Sequence, residues 1–403
     1  MYYAWDIERF RKALDAGLEE TFEGVPFTRA VVRVGAGTEV VCDVEPAETR
    51  AMSGPARIFG TPEVPHCLAG IDSYPLTCPP KTLFQAKGAT IVGSDAVLGS
   101  DGTLYCPEPV ETLQALDRAL AFNATNRQAF VLQRETSESA SICYFCSGGA
   151  RHLDASALFL PNVEPGNYGS FVFRVLPQIL LAAQLGIAFD VIVAADRSHW
   201  LIDAFRLANL PLRRILLAEE SYGTSFRQVL FFNDFVKEGF FPTSTMESLA
   251  LLARDVGAAE PKGALYVSRS LSRTRTPHYR PLTNERALEE QARDRGCTIV
   301  YPETLTFAEQ IRLFASAGRI VGPSGSGMLN AAFARKGTRV LDLESFTVAV
   351  RQHAKIYAST GKDYAFAFGQ FAGDDSREIS VRSWRMPEAI FTAGLDWLFA
   401  SLA

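Results

Sequence analysis

Strand-like and helix-like patterns alternate from about Ala155 to Glu344, and this alternation limits the folds that the chain can adopt. Short apolar, often β-branched runs are separated by longer segments whose apolar residues recur at helical spacing. Two parallel strands need a crossover connection, usually a helix, so the pattern is typical of a parallel sheet. It predicts an α/β fold with two Rossmann-like halves, residues 141–258 and residues 259–345. The predicted strands are Ala157–Leu160, Asp190–Ala194, Arg214–Leu217, Gln228–Phe232, Ala264–Val267, Thr298–Tyr301, Arg319–Val321 and Arg339–Glu344.

The regions on either side of the two halves have different patterns. Residues 1–140 are predicted to form an N-terminal helix, Met1–Glu20, and then a β-rich accessory region with Gly and Pro turns. The polar face of that helix mixes acidic and basic residues, which favours packing on the protein or on a second subunit over docking on anionic lipid. Residues 346–403 are predicted to be an extension whose terminal helix, Pro387–Leu402, packs back on the rest of the chain.

Composition excludes several classes of function. The net charge of -5 argues against nucleic acid as the main partner, because binding its phosphates needs a concentrated basic surface. Seven cysteines, an odd number, favour the reduced thiols of a cytoplasmic protein over a secreted disulfide framework. Cys143 and Cys146 have the spacing of half a zinc site, but no second pair follows, so structural thiols are favoured.

Membrane insertion is not predicted. The first residues carry no basic segment followed by an apolar run, so no secretory signal is expected. No apolar run approaches the roughly 20 residues that a spanning helix needs. Peripheral association with a membrane is the one mode left open.

The segment Arg319–Ala334 combines a strand end, a glycine-rich turn and a predicted helix N-terminus. Gly322, Gly325 and Gly327 allow a ligand to approach the backbone closely, and the first N–H groups of a helix attract anions. The turn lacks the Gly-Lys-Ser/Thr ending of a P-loop and does not match the dinucleotide fingerprint G-x-G-x-x-G. An anion site and a plain structural turn are therefore both open at this point.

Three motifs, taken together and in this order, resemble glycosyltransferase family 61 and, within it, the bacterial capsule-type branch. Each motif alone is unspecific. The motifs are Asn167–Pro177; Tyr266–Arg269 with Asn284 and Glu285; and the series Pro302–Gln310, Val321–Asn330 and Gly337–Leu341.

The resemblance implies a GT-B-like architecture, in which two Rossmann-like domains face a cleft, and a role in surface polysaccharide assembly. It implies an inverting, metal-independent transfer from a nucleotide diphosphate sugar to a glycan or glycolipid, with no cofactor besides the donor. The donor-side candidates are Arg269, Glu303, Gly322, Ser324, Gly325, Ser326, Gly327, Met328 and Glu344. The acceptor-side candidates are Asn167, Tyr168, Ser170 and Arg174.

Several of these residues have a plain structural alternative. Arg269 is a phosphate ligand or a surface ion pair, and Glu344 is a ribose ligand or an exposed turn residue. Glu309 has a good family position but can merely support the first turn of its helix. Asn167 or Ser170 can act as a helix cap.

Three departures from the family pattern affect catalysis. The family commonly has His at position 170, an acidic residue at position 174 and His at position 324, where this chain has Ser170, Arg174 and Ser324. An inverting transfer needs a base for the acceptor hydroxyl. The remaining candidates for that base, all predicted near loops of the first half, are His152, Glu164, Asp196 and His199.

Two other functions compete with sugar transfer. The departures favour a catalytically degenerate protein that only binds a nucleotide sugar or a glycan. A nicotinamide-dependent dehydrogenase is disfavoured, because neither half opens with the required glycine fingerprint.

Overall fold

A computed structural model describes Lys12 and residues 21–22, 25–32, 39–61, 63, 65, 68–69, 71–72, 75–78, 80–94, 96–105, 130–134, 140–147, 151–162, 164–233, 241–258, 263–271, 280–345, 349–372 and 382–401. The predicted helix Met1–Glu20 lies, apart from Lys12, outside the described residues. The chain divides into two units. One comprises Met1–Ala47 and Pro79–Lys237, and the other Glu48–Cys78 and Glu238–Ala403.

Strands account for most of the described elements. In chain order they are β1 (Thr21–Phe22), β2 (Val25–Val32), β3 (Glu39–Glu45), β4 (Glu48–Arg50), β5 (Arg57–Phe59), β6 (Leu76–Cys78), β7 (Lys81–Lys87), β8 (Thr90–Ile91), β9 (Val97–Leu98), β10 (Leu104–Tyr105), β11 (Phe130–Arg134), β12 (Ala140–Phe145), β13 (Arg151–Leu160), β14 (Val191–Ala194), β15 (Arg214–Leu217), β16 (Thr224–Phe232), β17 (Gly263–Val267), β18 (Cys297–Val300), β19 (Ala317–Pro323), β20 (Arg339–Glu344), β21 (Asp363–Phe368), β22 (Gln370–Phe371) and β23 (Trp384–Arg385).

Helices lie between the parallel strands, as the alternating pattern predicts. The described α-helices are α1 (Tyr168–Ser170), α2 (Leu176–Gln184), α3 (His199–Leu207), α4 (Ala218–Ser221), α5 (Thr243–Asp255), α6 (Glu285–Asp294), α7 (Phe307–Ala315), α8 (Ala349–Ser359) and α9 (Glu388–Phe399). A π-helix, Phe171–Val175, joins α1 to α2, and Pro302–Thr304 and Ser326–Phe333 are 3₁₀-helices. None of these helices is long and apolar enough to cross a bilayer.

The first unit contains a nine-stranded mixed sheet with a parallel centre. Strands β16, β13, β14 and β15 pair in parallel in that order. Strands β7 and β8 pair antiparallel with β16, and β3 pairs with β7. The β-rich region expected to be an accessory layer thus contributes strands to the same sheet as the first α/β half. The sequence shows these short strands but not their partners, because antiparallel pairing is set by contacts distant in sequence.

The second unit is built on a six-stranded sheet in the order β18-β17-β19-β20-β21-β5. Every neighbouring pair in it is parallel. Helix α9 packs on this sheet, with Phe391, Leu395 and Leu398 buried beside Val321 and Leu341. The tail beyond residue 345, predicted to be an extension, therefore supplies β21, α8 and α9 to the body of this unit.

The unit boundaries differ from those expected at residues 140, 258 and 345. Strand β5 comes from the N-terminal third of the chain and forms the edge of the second unit's sheet beside β21. Helix α5, placed by its sequence in the first half, lies in the second unit. A segment that leaves one unit and returns has no signature in composition or periodicity, because its pairing partner is hundreds of residues away.

Candidate functional site

The carboxyl edge of the second unit's sheet brings together most of the predicted donor-side residues. Arg269 follows β17, Ser324 follows β19, and Glu344 ends β20. Since these strands are neighbours and parallel, their ends meet at one edge, where ligands of open α/β sheets bind.

Arg269 is held against the glycine turn. Its Nη1 donates to the backbone oxygen of Ser324 at 2.6 Å. A Cβ added to Gly325 would lie 3.2 Å from the guanidinium carbon, so the side chain covers this residue. The backbone N–H of Arg269 donates to Glu285 Oε1 at 2.6 Å. This bond joins the two parts of the second family motif, which are 16 residues apart.

The glycine turn continues into a 3₁₀-helix rather than the predicted α-helix. The Met328 N–H donates to the Gly325 oxygen at 2.9 Å, and the Ser324 N–H donates to the Leu343 oxygen at 2.8 Å. These two amides therefore have partners inside the protein. Over eight residues the apolar pattern cannot distinguish a period of 3.0 from one of 3.6, which is why the sequence misassigned the helix.

Packing within the protein requires a glycine at position 322 and leaves little space for a side chain at Gly327. A Cβ on Gly322 would lie 2.5 Å from the Val267 oxygen, and one on Gly327 would lie 3.3 Å from Val267 Cγ1 and 3.4 Å from Pro302 Cγ. The turn therefore packs tightly on the ends of β17 and β18. This geometry gives a structural reason for these glycines whether or not a ligand binds.

A buried polar cluster lies directly behind the turn. We use the name His353 cluster for Ser324, Asp342, Glu344, His353 and Tyr357. His353 Nδ1 lies 2.6 Å from Asp342 Oδ2 and 3.5 Å from Ser324 Oγ. The Tyr357 hydroxyl donates to the same Asp342 oxygen at 2.6 Å. The chain thus has no imidazole at position 324, but helix α8 places one in contact with that serine.

Charge in the His353 cluster is controlled by burial. Glu344 is 0% exposed, and burial, followed by the neighbouring Asp342 charge, raises the pKa of its carboxyl. Burial and Asp342 likewise raise the pKa of Tyr357 well above its usual value. The expectation that Glu344 is an exposed turn residue is therefore wrong. Its sequence neighbours did not show that helix α8 covers the end of β20.

The His353 cluster also contains a donor set that could hold a metal ion. One ligand atom each from Asp342, Glu344 and His353 lie within 4.8 Å of one another. In this structure the imidazole nitrogen nearest to Asp342 is instead at hydrogen-bond distance from that carboxylate, and the Tyr357 hydroxyl binds the same oxygen. The arrangement can position Ser324 and the turn without a metal.

The third family motif is also joined by a buried contact. Asn330 Nδ2 donates to Gln310 Oε1 at 2.9 Å, which ties the 3₁₀-helix to α7. Glu309 forms a capping box with Thr306 at the start of α7, so the alternative that it supports its own helix is confirmed. Glu303 lies at the carboxyl edge, where its shielded Oε1 accepts no hydrogen bond from the described residues.

Three of the four candidate bases lie at the carboxyl edge of the first unit's parallel strands. Glu164 follows β13, while Asp196 and His199 follow β14. His152 lies near the opposite end of β13, a strand of ten residues that spans roughly 30 Å, and is bonded there to Ser225. His152 is therefore separated from the other three. The sequence placed the start of β13 six residues too late, which hid this separation.

Asp196 connects two loops at this edge. Its Oδ2 accepts from the Gly166 N–H at 2.8 Å and its Oδ1 from the Ser198 N–H at 2.9 Å. Both carboxylate oxygens thus already have amide partners. His199, the first residue of α3, is exposed and its ring lies 4.8 Å from that of Trp200.

The predicted acceptor-side residues have clear structural roles. Asn167 caps α1 by accepting from the N–H groups of Gly169 and Ser170, so the capping alternative is confirmed. The buried Ser170 hydroxyl donates to Asn162 Oδ1 at 2.6 Å. Arg174 lies in the π-helix, a rare element that is frequent at functional sites.

Aromatic rings form a surface beside these residues. Tyr168 and Trp200, which are partly exposed, meet edge to face with centroids 5.5 Å apart, and the ring of the buried Phe171 lies 6.2 Å from that of Trp200. The Trp200 indole N–H is shielded and donates to none of the described residues. Aromatic rings next to carboxylates and an imidazole are suited to a polar ligand with apolar faces, such as a sugar.

His353, Asp342 and Tyr357 are the site residues that sequence reasoning missed. A signal existed: His353 and Tyr357 are four residues apart on one face of α8, and Asp342 is an acid between two leucines in the interior of its strand. A charged group in a buried strand needs a partner, so Asp342 could have been singled out.

Comparison with known proteins adds one match. Residues 168–341 match the family model described as Glycosyltransferase 61. The matched region includes the π-helix, Arg269, the glycine turn and the first half of β20. The match supports an assignment to family 61 and a glycosyltransferase activity. No curated protein matches the chain.

Proposed function

We propose, from the match of residues 168–341 to glycosyltransferase family 61, that this protein transfers a sugar from a nucleotide diphosphate donor to a glycan or glycolipid. The GT-B arrangement, inversion at the anomeric carbon and independence from metal ions are parts of this proposal. So are a cytoplasmic location, which rests on the odd number of cysteines, and a homodimer, which rests on the polar face of the N-terminal helix. A role in surface polysaccharide assembly of the capsule type rests on the resemblance.

One observation supports the donor site above the others. The Arg269 guanidinium lies against Gly325, where the 3₁₀-helix begins. A guanidinium and backbone N–H groups at one place can neutralise the diphosphate as it leaves, with no need for a metal ion. Glu303, at the same edge, is the candidate ligand for the nucleoside.

His199 is our candidate for the general base. It is exposed at the carboxyl edge of the first unit, next to the aromatic surface, and no described residue accepts or donates a hydrogen bond at its ring. Asp196 is less suited, because both of its oxygens accept amide hydrogen bonds. Glu164 remains the second candidate, since it is exposed at the same edge.

A degenerate nucleotide-sugar or glycan-binding protein is the second candidate function. The observation in its favour is that the two serines at the family's His positions are both buried and turned toward protein partners. Ser170 binds Asn162, and Ser324 contacts His353. Neither serine can replace an imidazole as a base.

Donor turnover distinguishes the two functions. The purified protein is first screened by thermal unfolding against UDP, GDP, CMP, TDP and their sugar conjugates. A ligand at 100 times its Kd adds about 2.7 kcal/mol to the free energy of unfolding, so binding is detected as a rise in Tm. The stabilising sugar conjugate is then incubated with glycan acceptors, and release of the nucleotide is measured for the protein and for His199→Gln. Release that the variant reduces at least about a hundredfold supports transfer with His199 as base. Binding without release supports the degenerate protein, and no binding contradicts both.

A further inference from the structure

A cavity lies in the second unit, at the opposite edge of its sheet from the glycine turn. Its volume is about 690 Å³, within the usual range for small-molecule sites. Its walls include Lys336, just before β20, and Lys362, just before β21. The six residues of β20 separate this edge from Glu344 by roughly 20 Å. The cavity is therefore distinct from the candidate donor site.

Cationic side chains predominate among the charged residues of the cavity wall. Five of the lining residues are cationic, and Glu247 is the one acid among them. Glu48 pairs with Arg50, and Asp255 lies 3.7 Å from Arg254, which adds two carboxylates nearby. The five cations outnumber these three carboxylates. The cationic lining residues are Arg50, Arg254, Arg335, Lys336 and Lys362.

Lys362 is a buried ammonium at this wall. Its Nζ donates to the Ala334 oxygen at 2.6 Å and to the Thr360 oxygen at 2.8 Å. It has no carboxylate partner within the part of the chain that the structure describes, and burial lowers its pKa to about 7. A buried charge without a counter-ion is unfavourable, so an anion in the cavity would stabilise the protonated amine.

The remaining wall is mainly apolar. Seven alanines, Met246 and Phe333 line it. The alanines Ala250, Ala253 and Ala258 come from α5 and the residues after it, and Ala332 and Ala334 from the end of the 3₁₀-helix. Because these side chains are small and apolar, the cavity has room for the hydrocarbon body of a ligand. An inorganic anion would leave this room empty.

We propose that this cavity binds a phosphate monoester with an apolar body, its dianionic head at Lys336, Arg335 and Lys362 and its body along the alanines. The dianionic head complements the cationic side chains of the wall. The hydrocarbon body matches the apolar lining. The proposal does not depend on sugar transfer, because its residues belong to a different edge of the sheet.

Calorimetric titration of the full chain at pH 6.5 tests the proposal, with octyl phosphate as the probe. Three further compounds are titrated as controls. Inorganic phosphate represents the head alone, glucose 6-phosphate a monoester without an apolar body, and 1-octanol the body alone. We expect octyl phosphate to bind at least about tenfold more tightly than any of the three, equivalent to about 1.4 kcal/mol. Equal affinity for glucose 6-phosphate, or no binding of octyl phosphate, overturns the proposal.

Variants locate the bound probe. Lys336→Glu reverses an exposed charge at the wall and should weaken octyl phosphate at least about tenfold. Ala250→Trp fills the apolar part from an exposed position of α5 and should remove the advantage of octyl phosphate over inorganic phosphate. Arg286→Glu, an exposed reversal on α6, is the control and should change nothing. If Lys336→Glu and Ala250→Trp bind like the parent protein, the site lies elsewhere and the proposal fails.

A nucleotide diphosphate that binds equally well with and without octyl phosphate confirms that the two sites are separate.

Discussion

At the scale of single residues, Arg269 has two contacts that point to different roles. Its backbone N–H is fixed by Glu285, and its guanidinium covers Gly325 and binds the Ser324 oxygen. The first contact fixes the loop and the second places a charge at the proposed anion site. Arg269→Ala retains the first and removes the second, so it isolates the charge.

We predict that Arg269→Ala weakens binding of a nucleoside diphosphate and leaves binding of the nucleoside nearly unchanged. A hydrogen bond to a charged group contributes about 1.5–3 kcal/mol, which corresponds to roughly tenfold to a hundredfold in Kd. Titration calorimetry with both ligands measures the difference, with Arg286→Ala on α6 as a matched control that should bind both normally. Equal losses for nucleoside and diphosphate would show that Arg269 does not contact phosphate.

Lys362 gives a prediction about pH. Its pKa is lowered from 10.5 to about 7 by burial, so between these values the unfolded chain binds more protons than the folded one. By linkage, this residue makes folding stability rise with pH from about 7 to about 10.5. Lys362→Met removes this contribution, although it also leaves two carbonyl groups without their donor.

Chemical denaturation of both proteins at pH 7 and pH 10 measures the effect. The stability of the parent protein relative to Lys362→Met should increase by roughly 3 kcal/mol over this interval. Other groups that titrate in the interval are common to both proteins and cancel in the comparison. A constant difference between the two proteins would mean that Lys362 keeps an ordinary pKa.

At the scale of elements, the start of helix α7 allows two roles of Glu309, helix capping and ligand binding, to be distinguished. Thr306 and Glu309 form its capping box, and the accepting carboxylate oxygen lies 2.7 Å from the Thr306 hydroxyl. Thr306→Ala should lower stability by about 1 kcal/mol, a typical loss for an N-cap. Glu309→Ala should also reduce stability while the affinity for a nucleotide diphosphate stays constant. Thermal unfolding with and without the nucleotide distinguishes these effects, and a selective loss of affinity in Glu309→Ala would make Glu309 a ligand.

Elements of the two α/β halves could be predicted because their signals are local. Strands β15 and β20 have the predicted bounds, and β17 begins one residue before its predicted start. The helix after the glycine turn was predicted, but its 3₁₀ type was not, because its eight residues are too few to fix a period. Strand β5 was missed because three residues give no alternation to read, and its place was set by β21 far along the chain.

The site residues, like the elements, could be predicted where the signal is local in sequence and not where it depends on distant contacts. Arg269 and the glycine turn were identified because parallel strand ends share an edge, a rule that needs only the strand assignments. The His353 cluster needed the packing of α8 over the end of β20, which no pattern within either element encodes. The burial of Glu344 has the same cause.

At the scale of the whole molecule, each unit is built from two separate parts of the chain. The second unit takes Glu48–Cys78 from the N-terminal third and combines it with Glu238–Ala403. Phe59, at the end of β5, packs against the hydrophobic core of this unit, whereas Phe84 on β7 packs against the core of the first. Both side chains are partly buried, so the two phenylalanines form a matched pair for mutation.

We predict that Phe59→Ala destabilises the second unit although residue 59 lies closer in sequence to β3 and β7 of the first unit than to its partner strand β21. Loss of a partly buried phenyl ring should lower the free energy of unfolding by about 2 kcal/mol, which raises the rate of hydrogen exchange of core amides roughly 30-fold. Hydrogen exchange should quicken in β20 and β21 of Phe59→Ala, while β13 and β16 exchange as in the parent protein. Phe84→Ala should show the reverse pattern. Faster exchange of β13 in Phe59→Ala, with β21 unchanged, would instead assign this segment to the first unit, and the parallel pairing of β5 with β21 would be wrong.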